Sequence, residues 1–201
     1  MPEHPVHFSA PELDLMHDAE LMRARRSILS KIQELLAAVQ HGLESASMWE
    51  DLPFAAEAKT AGAKISKGDN YLGMPYLVLD YPRCYGTREV FAYRVMFWWG
   101  HEFSAFLHLK GQSLNLLGTK LQTRWTRLQQ SGFLVSSSDN EWVQHAAPEH
   151  YAEASLLSGP EVLSLKDRSF LKMGRTLPLE KWASLEEFSL ETLELLLGKD
   201  M

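Results

Sequence analysis

With 201 residues and a mass of 22.9 kDa, the chain has the length of one domain with a sizeable core. A formal net charge of −6 argues against a general polyanion binder, which needs a basic surplus, and a single cysteine, Cys84, excludes an internal disulfide framework. Hydrophobic content of 45% with 23% charged residues is ordinary for a soluble globular protein.

The N-terminus, MPEHPVHFSAPELD, has neither a basic start nor an apolar segment, so no secretory leader is expected and the reading is cytoplasmic. Residues 1–8 read as a short tail and 9–201 as a single α+β domain. Ser9 and Glu12 form an S-x-x-E capping box, with Pro11 tolerated in the first turn. Leu15, Met22, Leu29, Leu36 and Leu43 then recur at heptad spacing, Ile28, Ile32, Leu35 and Val39 widen the stripe, and Gly42 suits a stop. The spacing predicts one helix of about 30 residues, longer than the usual globular helix. Asp14, Asp18 and Arg25 at seam positions favour core packing over a coiled coil.

A short helix is expected around Phe54–Thr60, a turn at Lys67-Gly68-Asp69-Asn70, and a strand over Tyr76–Tyr81 ended by Pro82. Residues 90–99 and 102–110 form a central hairpin. Residues 115–131 return to helical spacing through Leu117, Leu121, Trp125 and Leu128, with Gly132 at the stop. Phe133–Ser136 and Glu141–His145 suggest a second hairpin, residues 146–166 an irregular or briefly helical stretch, and Phe170–Arg175 a further strand. Ser184 and Glu187 repeat the capping box and open a last helix through Leu185, Phe188, Leu193, Leu196 and Leu197 to Gly198. The pattern predicts an α+β fold: an antiparallel sheet of hairpin-linked strands packed by a long N-terminal helix, a middle helix and a C-terminal helix.

The hairpin run VFAYRVMFWWGHEFSAFLHLK holds most of the unusual chemistry. Only six residues separate Arg94 from His101, against about 20 for a membrane span, so no membrane partner is expected. A two-residue Gly100-His101 turn would set 99 facing 102, 97 facing 104 and 93 facing 108. Tyr93 and Trp99 would then share a face with Glu102, Ser104 and His108, while Arg94 would lie with Phe103, Ala105, Leu107 and Leu109. An odd-length loop would reverse the assignment on one strand.

Arg94 has apolar neighbours, and a buried guanidinium without an acceptor costs several kcal/mol. Asp80 is the nearest carboxylate by topology; the alternative is an anionic ligand. His108, Tyr93 and Glu102 could orient a polar ligand or do acid–base chemistry, though a satisfied half-buried histidine is the simpler reading. Trp98 and Trp99 point to opposite faces, so one can cap a pocket or interface. His4 with His7, and His145 with Glu149 and His150, sit in tail or loop; no physiological metal and no cofactor is expected. Cys84 follows Tyr81-Pro82-Arg83 without a nearby base, so it is not read as a nucleophile. Lys120, Arg124 and Arg127, like Arg23, Arg25 and Arg26, read as solvated stripes, and nucleic-acid binding is not expected. No phosphate-binding or nucleophile-elbow motif is present.

KISKGDNYLGMPYLVLDYPR followed by VFAYRVMFWWGHEFSAFLHLKG, covering Lys64–Gly111, resembles a group of uncharacterised bacterial proteins, and FLKMGRTLPLEKW is a fainter echo. The resemblance implies a bacterial, non-secreted protein, carries over no catalytic residues, and directs interest to Lys67, Asp69, Asn70, Tyr81, Arg83, Arg94 and His108.

The leading expectation is a small-ligand-binding or protein-interaction domain with an aromatic-lined pocket or face, its candidate residues being Asp80, Tyr93, Arg94, Trp99, Glu102 and His108. The alternative is an enzyme on a small anionic substrate, working through His108, Tyr93 and Glu102 with Arg94 as anion holder. Excess apolar helix surface further suggests a homodimer.

Overall fold

The computed structural model describes residues 6–52 and 60–198; the short helix expected around Phe54–Thr60 lies almost entirely outside them. The first capping box forms: Ser9 N–H donates to the Glu12 carboxylate at 2.7 Å and Glu12 N–H to Ser9 Oγ at 3.4 Å. It opens α1 (Ala10–His17), but the expected long helix is not continuous. Asp18 accepts from Leu21 N–H at 2.9 Å and caps a new helix, α2 (Ala19–Ser45). A short polar side chain that bonds to the backbone ahead competes with continuation of the preceding helix. Core burial starts late in α2, at Ile32, Leu36, Val39 and Leu43, whereas α1 buries no residue.

The sheet has seven antiparallel strands: β1 (Lys64–Tyr71), β2 (Met74–Tyr85), β3 (Val90–Trp98), β4 (Glu102–Lys110), β5 (Leu134–Ser136), β6 (Tyr151–Glu153) and β7 (Leu171–Pro178). Their order is β1-β2-β3-β4-β7-β5-β6, so the chain has the expected α+β class. Two local expectations are corrected. Lys67–Asn70 lies inside β1, and the reversal falls at Leu72 and Gly73, both at positive φ, as a tight hairpin turn requires. β5 pairs with β6 rather than with residues 141–145, which belong to an irregular connection running over the sheet.

One face of the sheet is apolar and covered by α2 and α6 (Leu185–Leu197). The middle helix is split at Arg124 into α3 (Gln112–Thr123) and α4 (Trp125–Gln130). Its basic stripe is not simply solvated. Buried Arg124 donates to Glu194 O and Leu195 O at 3.2 Å each and to Gly198 O, and Lys120 Nζ donates to Leu197 O at 2.7 Å. These cations take up the unpaired carbonyls at the α6 C-terminus, where the helix dipole favours positive charge. The second capping box does not form: a 3-10 turn, Leu179–Ser184, runs into α6 with no side-chain cap. A short helix, α5 (Gly159–Ser164), precedes β7 and is opened by a Ser158–Glu161 box. Among the described residues, no helix is long and apolar enough to cross a membrane.

Candidate functional site

The central hairpin turns through three residues, Trp99-Gly100-His101, not two. Phe97 pairs with Phe103, Tyr93 with Leu107 and Ala92 with His108, one residue off the expected register. His101 N–H donates to Trp98 O at 3.1 Å, and Gly100 takes the positive φ (+75°) that the second central position of a type II turn demands. The extra residue reverses the faces of β4. Phe91, Tyr93, Val95 and Phe97 lie with Phe103, Ala105, Leu107 and Leu109 under the helices. Arg94 and His108 therefore share the opposite face, which the sequence reading separated. Tyr93 is removed from them: it is fully buried on the helix side and donates its hydroxyl to Ser189 O at 2.7 Å. Glu102 is on the Arg94 face but six residues along β4 from His108, about 20 Å at strand rise.

Pro82 does not end β2. The strand continues to Tyr85 through an irregularity between Asp80 and Arg83, where three residue steps on β2 oppose two on β3, from Arg94 to Ala92. A bulge is where a strand tolerates a proline with no N–H to donate. It also switches the alternation: Asp80 pairs with Arg94, while Tyr85 pairs with Val90. Cross-strand partners share a face, so the bulge carries Tyr85 to the side of Asp80 and Arg94.

On that face Arg94 grips Asp80 with both arms of the guanidinium, Nε to Oδ1 at 2.7 Å and Nη2 to Oδ2 at 2.8 Å. Tyr85 donates to the same carboxylate at 2.9 Å, its ring beneath the guanidinium, and Arg94 Nη1 donates to Gln144 Oε1 at 3.0 Å. The pairing inferred for Arg94 is present. Around it stand groups absent from the sequence reading. Lys172 Nζ donates to Val143 O at 2.5 Å, and Lys110 Nζ to Glu141 Oε1 at 2.6 Å. Glu141 Oε2 stands 3.2 Å from His108 Nε2, yet the geometry leaves both buried atoms without an aligned hydrogen bond. Lys172 had a visible signal: a lone cation in the strand run Phe170-Leu171-Lys172-Met173, the argument that picked out Arg94. Glu141 and Gln144 had none, because their segment, which reads as a strand, is an irregular connection in the fold.

Burial, then the Arg94 charge, pushes Lys172 down to about 7 despite Asp80 and Glu141. Burial and the Lys172 ammonium likewise push His108 down to about 4, against the pull of Glu141. Burial raises the Tyr85 phenol, and half-burial raises Glu102, partly offset by a hydrogen bond from Thr176. The space among Tyr85, Arg94, His108, Trp142, Gln144 and Lys172 is about 10 Å³, room for one water at most. The arrangement can hold charge and locate a proton, but it has no room for an organic substrate.

The large concavity is elsewhere. Trp99, half-buried in the hairpin turn, lines a cavity of about 840 Å³ between α2 and the strand ends. Ile28, Leu35, Phe97, Phe103 and the exposed Trp182 line it, together with the charged Lys31 and Glu34. On the polar face, His145 accepts or donates through Nδ1 to Tyr71 OH at 2.8 Å, and burial and then neighbouring His150 lower its pKa. Comparison with family models, curated proteins and solved structures finds no match to this chain.

Two outcomes test the polar face. Arg94→Met should lose about 3 kcal/mol by leaving Asp80 buried without a counter-charge. Adding Asp80→Asn should recover part of it, and a urea double-mutant cycle giving coupling below about 0.5 kcal/mol would contradict the pair. The pH profile follows from Lys172. Between about 7 and its ordinary 10.5 the unfolded chain binds a proton that the folded chain does not, so stability rises with pH. Unfolding free energies from urea titrations between pH 7 and 9 should climb by up to about 1.4 kcal/mol per pH unit, and Lys172→Met should flatten the climb; equal slopes for the two proteins would contradict it.

Proposed function

We propose that this chain is a binding domain that takes a small, largely apolar molecule into the groove between α2 and the central hairpin. The observation that carries this reading is the groove itself: about 840 Å³, within the usual range of small-molecule pockets, with aromatic walls and two charged residues. Its aromatic wall includes Trp99, a candidate residue singled out from the sequence. Support for catalysis through His108, Tyr93, Glu102 and Arg94 is weaker. Tyr93 is on the other face, Glu102 is distant, and Arg94 commits three of its N–H groups to Asp80 and Gln144.

Titration with the apolar fluorophore 1-anilinonaphthalene-8-sulfonate should show saturable binding to the native protein. Ala38→Trp, which fills the groove from an exposed helix position, should weaken it by at least about 10-fold, and Trp182→Ala by a smaller factor. No saturable binding, or the same affinity in both variants, would refute the groove as the site.

A second reading, homodimerisation, rests on a separate observation. Val6, Phe8, Leu15, Met16 and Met22 are 56–66% exposed; the first four lie before or on α1, which buries nothing, and Met22 on the first turn of α2. Such a concentration of apolar side chains marks an association surface. Light scattering should give about twice the chain mass of 22.9 kDa, and Leu15→Glu with Met22→Glu should return it to that mass. A monomer for the unmutated chain at micromolar concentration would refute this.

A further inference from the structure

We infer that His145, Glu149 and His150 form a site for a divalent transition-metal ion of the zinc class. The sequence reading expected no metal here, because the three residues lie in a loop without motif spacing. The fold changes that by curling the loop. His150 N–H and Tyr151 N–H both donate to Ala147 O at 2.9 Å, and Ser137 N–H donates to His150 O at 2.9 Å. This turn places Glu149 and His150 beside His145, with one ligating atom from each within 4.8 Å of the others. Ligands bound at 2.0–2.1 Å to a tetrahedral ion stand about 3.3 Å apart. Glu149 is exposed, so its side chain is free to rotate toward the two imidazoles.

A second observation concerns the orientation of His145. Tyr71 Oη lies 2.8 Å from His145 Nδ1 and accepts from Gln144 N–H at 2.8 Å. When Nδ1 donates to that hydroxyl, Nε2 keeps its lone pair and is the atom left to ligate. Metal-binding histidines are commonly held in this way by a partner on the other ring nitrogen. The His145 ring is further fixed by Trp98, centroid to centroid 5.6 Å, and by His150 at 5.0 Å. Two imidazoles and one carboxylate suit zinc or a neighbouring first-row metal, not magnesium or calcium, and leave a position open to water. The site is on the polar side of the sheet, so it does not depend on the groove reading.

Isothermal titration of the chelator-treated full chain with zinc chloride should show one saturable site. His145→Ala with His150→Ala should weaken it by more than about 100-fold, and the exposed Glu149→Gln by at least about 10-fold. Tyr71→Phe, which removes the hydroxyl and keeps the ring, should cost about 10-fold or more. Cobalt(II) should give visible ligand-field bands with the unmutated chain and lose them in Glu149→Gln, a variant that disturbs no buried group. No saturable zinc binding, or equal affinity in the unmutated chain and in Glu149→Gln, would overturn the proposal; the second result would show that Glu149 is not a ligand.

Discussion

The ion pair between Arg94 and Asp80 decides how one whole face of this sheet is closed. A guanidinium on a strand among apolar neighbours is tolerable only when its donors are taken up. Asp80 takes two, and a third goes to Gln144, which is not on the sheet at all but on the connection between β5 and β6. Satisfying the arginine therefore lays that connection across the strands. Once there, it brings Glu141 to Lys110 and His108, and the Val143 carbonyl to Lys172. The two lysines thereby gain acceptors, while Glu141 gives His108 a nearby charge without an aligned hydrogen bond.

The two faces are consequently held by different physics. Under α2 and α6 the sheet packs by shape among leucines, phenylalanines and Trp49, whose indole donates to Leu43 O at 2.6 Å. On the other side, crowded cations and carboxylates set the terms, and Lys172 relieves the crowding by holding its proton weakly near neutrality. Buried polar networks of this kind demand one arrangement, because a half-satisfied version costs more than an apolar one. The groove lies where α2 changes role, among Ile28, Lys31 and Ile32, just as the helix passes from exposed to buried.

Much of this was legible from the residues. The stripe of Leu36, Val39 and Leu43, the hairpin at Gly100, the last helix and the Asp80 partner of Arg94 all follow from periodicity or from the cost of an unpaired charge. What failed was local counting. A single extra residue in the turn put His108 beside Arg94 instead of Tyr93, since strand faces alternate with period two. The proline in β2 read as a stop because a bulge cannot be seen in composition. Asp18 read as a seam defect and is a cap. Glu141–His145 read as a strand and is an irregular connection instead; only the closure of the sheet gives Glu141 and Gln144 their neighbours.

The strand order has its own consequence for how copies of this chain can meet. The sheet ends on β1 and β6, and an unguarded edge strand invites further strands to add without limit. β6 is three residues long, and β1 presents Lys64, Lys67, Asp69 and Asn70 to solvent. Charges and brevity are the standard defences of an edge. Growth by strand addition is thus discouraged at both ends of the sheet. Helical surfaces remain as the places for a finite, closed assembly, whose size is set by symmetry rather than by how much chain is available.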